Sequence, residues 1–170
     1  TELISFEKTD KRDAAQRNLE LRYDPSTGYL GYELRTGDAM FAVSQYDRVL
    51  TIRETGEYSV IDVPEKQFVG KGLLACVLAE KDLLAKTVFS VLYRDKNTGY
   101  VYLKRCTIEQ FIFGRMYQIA PEGATVLDLT TKEKVEASLT YKRAPRIKIL
   151  KESFPVAEYL VKSVKASGVR

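Results

Sequence analysis

The chain contains no histidine and no tryptophan, and cysteine occurs only at Cys76 and Cys106. Without histidine there is no serine-histidine or cysteine-histidine nucleophile system and no histidine-containing zinc site. Two cysteines are too few for a secreted disulfide scaffold or a four-cysteine metal centre, and both lie in apolar, strand-like surroundings. They are expected to be unlinked, buried thiols of a protein in a reducing cytoplasm. No apolar run approaches the roughly 20 residues that span a bilayer, which excludes a membrane-inserted helix. No convergent nucleophile, base and oxyanion donors can be assembled from the residues, so catalysis, a metal and a cofactor are not expected. The first residue is Thr1, no signal peptide is visible, and the last residues read as the opening of a repeat, so the chain is expected to be a fragment.

What is present belongs to a globular protein. The 170 residues, 45% hydrophobic and 29% charged, suffice for a single domain that buries about two-thirds of its unfolded surface. The net charge of +4 is unevenly placed. Residues 1–131 hold 17 basic against 19 acidic side chains, whereas residues 132–170 hold 10 against 4. Within that basic stretch Lys142, Arg143, Arg146, Lys148 and Lys151 follow one another without an intervening acid. Arg146-Ile147-Lys148-Ile149 alternates, which on a strand puts both cations on one face. Such a face is either an ordinary solvated sheet edge guarded by cations or a phosphate-contacting rim.

Eleven tyrosines, seven phenylalanines and many β-branched residues favour strands. Alternating or short apolar runs predict them at Leu19 to Tyr23, Tyr29 to Leu34, Met40 to Ser44, Arg48 to Arg53, Glu57 to Asp62, Leu73 to Ala79, Thr87 to Arg94 and Tyr100 to Cys106. Further strands are expected at Thr125 to Leu129, Val135 to Tyr141, Arg146 to Leu150 and Glu158 to Val164. Thr27-Gly28, Thr55-Gly56 and Thr98-Gly99 each precede an alternating run, where a tight turn requires positive φ. Arg12 to Glu20, with Asp10 as its cap, reads as either a short helix or an extended arm.

Self-comparison reveals a repeat. Gly31 and Gly72 are 41 apart, Asp38 and Asp82 are 44 apart, and Gly56 and Gly99 are 43 apart. An interval in the forties with about four strands per unit is the mark of propeller blades. The expected fold class is therefore all-β: a propeller-like array of four-stranded antiparallel blades forming an incomplete ring. The expected divisions are an N-terminal arm and first strand over 1–27, units over 28–71, 72–122 and 123–167, and the start of a further unit at 168–170.

Val69-Gly70-Lys71-Gly72, Lys81-Asp82, Val91-Leu92-Tyr93, Thr98-Gly99-Tyr100-Val101 and Lys104-Arg105 follow one another in the order seen in a known family. In this the chain resembles the C-terminal β-propeller domain of bacterial type IIA topoisomerase A subunits, the A subunits of DNA gyrase and topoisomerase IV. Thr27-Gly28-Tyr29-Leu30-Gly31, Tyr93-Arg94-Asp95 and Lys104-Arg105 look more like the topoisomerase IV type. The basic Gln-Arg-Arg-Gly-Gly-Lys-Gly wrapping box of gyrase is absent, and Phe68-Val69-Gly70-Lys71-Gly72 lacks its arginine pair. The family's catalytic tyrosine belongs to a separate breakage-reunion domain and is assigned to none of the tyrosines here.

The resemblance implies duplex DNA as a partner, held on the outer rim of the blades by a curved track of cations and without base reading. For the parent enzyme it implies a second partner, the topoisomerase B (ATPase) subunit. The location it implies is cytoplasmic and nucleoid-associated. On this basis the DNA-binding candidates are Lys71, Arg94, Lys104, Arg105, Lys142, Arg143, Arg146, Lys148, Lys165 and Arg170. The competing class is a propeller that serves only as a protein-interaction platform.

Overall fold

The computed structural model describes residues 15–132, 135–140 and 151–170. The expected all-β class is what it holds: three four-stranded sheets, a two-stranded ribbon and one short helix. In the first sheet β1 (Leu19–Asp24) and β2 (Tyr29–Gly31) form a hairpin, β3 (Asp38–Val43) pairs with the free side of β1, and β6 (Gln67–Phe68) adds to β2. The second sheet repeats this wiring. Its hairpin is β4 (Arg48–Arg53) and β5 (Glu57–Asp62), with β7 (Leu73–Leu78) on β4 and β10 (Tyr117–Gln118) beside β5. In the third, β8 (Phe89–Arg94) and β9 (Val101–Thr107) make the hairpin, β11 (Thr125–Thr130) pairs with β8, and β14 (Val161–Ser163) runs parallel to β9. β12 (Glu136–Thr140) and β13 (Lys151–Pro155) form the ribbon.

The fourth strand of each sheet follows, in the chain, the hairpin that comes next. β6 comes after β4 and β5, β10 after β8 and β9, and β14 after β12 and β13. Successive sheets are thus interleaved in sequence. Gly28, Gly56 and Gly99, at φ 79°, 80° and 71°, occupy the three equivalent hairpin turns, as their Thr-Gly pairs predict. Of the three sequence offsets, only Gly56 to Gly99 joins equivalent positions. Gly31 lies in β2 while Gly72 follows β6, and Asp38 opens β3 while Asp82 lies in the helix α1 (Lys81–Lys86).

The chain divides into two compact units. The first comprises the described residues up to Arg53, Tyr58–Glu80 and Phe111–Tyr117. Its core joins two sheets: Leu21, Tyr23, Leu30 and Val43 from the first cluster with Val49, Val63 and Cys76 from the second and its flanks. β4 is buried on both faces from Val49 to Ile52, so it reads as a continuous apolar run interrupted only by Thr51, whose hydroxyl donates to the Ser59 carbonyl at 3.3 Å. The second unit comprises Glu54–Glu57, Lys81–Gln110 and the described residues from Gln118 on. It buries Leu84, Phe89, Val91, Tyr93, Cys106, Ile108 and Ile119.

The helix considered over Arg12 to Glu20 is absent in its described part. Residues 15–18 are irregular and Glu20 lies in β1. Leu21 and Tyr23, two apart, are both buried, and that alternation recruits the segment as a central strand. α1 lay unread between two predicted strands; Asp82 in its first turn and Lys86 in its last complement the helix dipole, and Leu84 is fully buried. The two-residue strands β6 and β10, and β13, are further additions. The strand expected at Arg146 to Leu150 lies outside the described residues.

Candidate nucleic-acid interface

Lys71 is exposed at the tip of the Gly70-Lys71-Gly72 turn, with both glycines at positive φ, 95° and 76°. The turn is built into the first unit. The Val69 and Gly70 amides both donate to the Gly28 carbonyl, and the Tyr23 hydroxyl donates to the Gly70 carbonyl at 3.0 Å. A Cβ on Gly70 would come within 2.8 Å of the Arg53 guanidinium, so glycine here also makes room for a second cation under the turn. Lys71 is therefore presented by a fixed backbone.

In the second unit Arg94, Lys165 and Arg170 are also exposed. Arg94 ends β8, opposite Val101 on one side and Thr125 on the other. It shares a cleft of about 640 Å³ with Arg170, Tyr100, Glu152, Phe154 and Tyr159. The Arg170 guanidinium stacks 3.7 Å from the centre of the Tyr100 ring, and Phe154 meets Tyr159 edge to face at 6.2 Å. Two arginines lining one cleft, one of them stacked on an aromatic face, suit a phosphate with an apolar neighbour, Glu152 being the opposing charge. Sequence reasoning named both arginines but missed the aromatic side chains. Tyr100, directly after the Thr98-Gly99 turn, was the available signal.

Lys104 and Arg105, expected on the rim, are placed otherwise. Lys104 is 5% exposed, and its ammonium donates to the Ile119 carbonyl at 2.9 Å and to the Val164 carbonyl. Burial pulls its pKa below the usual lysine value, against the opposing effect of Cys106. It is an internal tie between segments, inaccessible to a phosphate. Arg105 is half-buried and donates through Nη1 to the carbonyls of Ala157 at 2.8 Å and Tyr159 at 2.9 Å, while its Nε is buried without a hydrogen-bond partner among the described residues. It fastens the 3-10 turn Val156–Glu158. The reason for both placements is that β9 is no edge: β14 lies along it, so its cations meet carbonyls before solvent. Lys142, Arg143, Arg146 and Lys148 lie outside the described residues.

Both cysteines are free and buried, as expected. Burial pushes the Cys76 thiol up to about 12 and that of Cys106 up to about 11, the latter opposed by the neighbouring Lys104. Among the described residues no helix is long and apolar enough to cross a membrane.

Sheets wired alike from a central hairpin and interleaved along the chain define an all-β domain of blade-like units. Residues 20–170 match the family described as Topoisomerase C-terminal domain, Bacteroidota. The chain belongs to this family, and is thus a C-terminal domain of a type IIA topoisomerase A subunit. It is similar to the A subunit of DNA topoisomerase 4 from Borreliella burgdorferi, at 24% identity over 130 residues, which is 76% of this chain. The aligned part is 21% of that relative, so the chain spans about a fifth of its length. No solved structure matches the chain.

Proposed function

We propose that this domain is a non-catalytic DNA-binding module that holds or guides duplex DNA on the basic outer rim of its blades, while the parent topoisomerase carries out ATP-dependent strand passage. The observation that carries the reading is the placement of Lys71, Arg94, Lys165 and Arg170: four cations on turns and strand ends, exposed, in a member of a topoisomerase domain family. Phosphate contact asks only for such cations along a surface, and supplies affinity without sequence preference. Lys142, Arg143, Arg146 and Lys148 are further phosphate-contacting candidates on this reading, proposed from the sequence. On this reading the three described sheets are successive blades. The B (ATPase) subunit is a partner of the parent enzyme through parts other than this domain, and the location is the nucleoid of the cytoplasm.

Titration of the chain with a labelled duplex at several salt concentrations tests this. With four to six phosphates neutralised, log affinity falls against log salt with a slope of roughly −4 to −5, about −0.9 per contact. The slope is the same for unrelated sequences. Salt-independent binding, or none, sinks the reading and leaves a protein-interaction platform.

A further inference from the structure

The cleft that holds Arg94 and Arg170 lies wholly within the second unit, and its volume of about 640 Å³ is that of a small-molecule site. Leu92 and Leu103, paired across β8 and β9, line it together with Tyr100 and Phe154. Its frame is tied. Leu103 and Val169 exchange backbone hydrogen bonds of 2.8 and 2.7 Å, which hold Arg170 beside β9, and the Arg105 guanidinium donates to the Tyr159 carbonyl at 2.9 Å. A site whose backbone is fixed before the ligand arrives loses little freedom on binding.

Three charged side chains line the cleft, and each restricts the occupant. Among the described residues neither the Arg94 nor the Arg170 guanidinium has an ion pair or hydrogen bond. Asp95, next to Arg94 in the chain, is not a lining residue, and its carboxylate accepts the Asn97 amide at 2.7 Å. Two such cations call for an anion, and guanidinium forks match phosphate. Glu152 makes the opposite demand. Its carboxylate accepts donors and repels a bare anion, so the ligand carries an amino group as well as its phosphate. The Arg170 guanidinium, 3.7 Å from the centre of the Tyr100 ring, adds a stacked cationic plane, and unpaired bases stack on aromatic rings and guanidinium planes alike. A phosphate, a flat ring and an amino group on that ring describe a nucleotide of adenine, cytosine or guanine, whereas thymine has no exocyclic amine. In a duplex the base is enclosed by its stacked neighbours, so the occupant is unpaired.

We propose that this cleft binds an unpaired nucleotide, with its phosphate on Arg94, its base against the Arg170–Tyr100 stack and its exocyclic amine on Glu152. The site is separate from the rim reading above, because it takes a base outside the double helix and the rim takes intact duplex. A free nucleotide and an unpaired base in a DNA strand offer the same chemistry.

Calorimetric titration of the 170-residue chain with dAMP, dTMP and inorganic phosphate tests this. dAMP binds with a Kd of about 1 mM or below, about tenfold more tightly than dTMP, and phosphate binds more weakly than either. Glu152→Gln supplies a donor beside its acceptor, so it brings dTMP level with dAMP by tightening dTMP, whereas damage to the fold would weaken both. Tyr100→Leu, at an exposed position, weakens both nucleotides about tenfold and leaves phosphate within about threefold. The source is read from a short thymine-only strand and the same strand with one central adenine. Preference for the adenine strand assigns the site to unpaired DNA; equal binding of the strands, with dAMP still preferred to dTMP, assigns it to a free nucleotide. Phosphate binding as tight as that of dAMP, or a preference for dAMP that survives Glu152→Gln, overturns the proposal. Loss of duplex binding alone defeats only the rim reading.

Discussion

Tyr23 and Tyr93 occupy the same place in two sheets and hold the same kind of turn. Each is the last but one residue of its sheet's first hairpin strand, and each is buried. The Tyr23 hydroxyl donates to Gly70 and accepts the Leu73 amide at 3.3 Å, while that of Tyr93 accepts the Gly168 amide at 3.1 Å. In both sheets the clasped glycine follows the fourth strand. The middle sheet has Ile52 at this position, which offers no hydroxyl. Two of the three repeats thus fasten the end of their interleaved strand with a phenol.

Tyr23→Phe removes two backbone hydrogen bonds and Tyr93→Phe one. The expected losses of stability are about 2 and about 1 kcal/mol. Urea unfolding of the two variants checks the order, and a neutral Tyr23→Phe contradicts the clasp.

Lys104→Met leaves the Ile119 and Val164 carbonyls without their charged donor. Stability falls by about 2 to 3 kcal/mol. The salt slope of DNA binding stays as it was, because a buried ammonium neutralises no phosphate, whereas Lys71→Ala flattens it by about 0.9. Equal flattening by both substitutions would show that the Lys104 side chain swings out to the surface.

Neither thiol reacts readily in the native chain. With Cys76 raised to about 12 and Cys106 to about 11, almost no thiolate exists at pH 8, and burial blocks access to what there is. Iodoacetamide at that pH labels neither position over the time in which denatured chain is fully labelled. Fast modification of either one would contradict the packing described.

Asp24 ties the first hairpin turn. Its carboxylate accepts the Ser26 hydroxyl at 2.6 Å, the Ser26 amide at 2.9 Å and the Thr36 hydroxyl at 3.0 Å, with the Thr27 amide at 3.4 Å. The Ser26 hydroxyl leads in holding its pKa well below the usual carboxylate range. A carboxylate depressed in the folded state stabilises it above the unfolded value of about 3.9 and loses that effect as pH falls through the folded value. Asp24→Asn therefore lowers the melting temperature at pH 7, and the gap from the parent chain closes as the solution is acidified below about pH 4. A gap that does not change with pH would show that the carboxylate charge is irrelevant.

The sequence by itself determined the strands, the turns and the family order. A short apolar run placed β4 and alternation placed β5 at their observed limits, because a strand buried on both faces is apolar throughout and a half-buried one repeats every two residues. Thr-Gly placed the three hairpin turns, because positive φ at a tight turn calls for glycine. Tertiary structure decided what no local pattern encodes. β6 and β10 are strands only because an edge awaits them, and two residues cannot carry a periodicity. Adjacent Lys104 and Arg105 look like a surface pair until β14 covers their strand and the carbonyls of Ile119, Val164, Ala157 and Tyr159 come into reach. The neighbours that turn a cation from a free charge into a tie lie 15 to 60 residues away along the chain, and only folding brings them there.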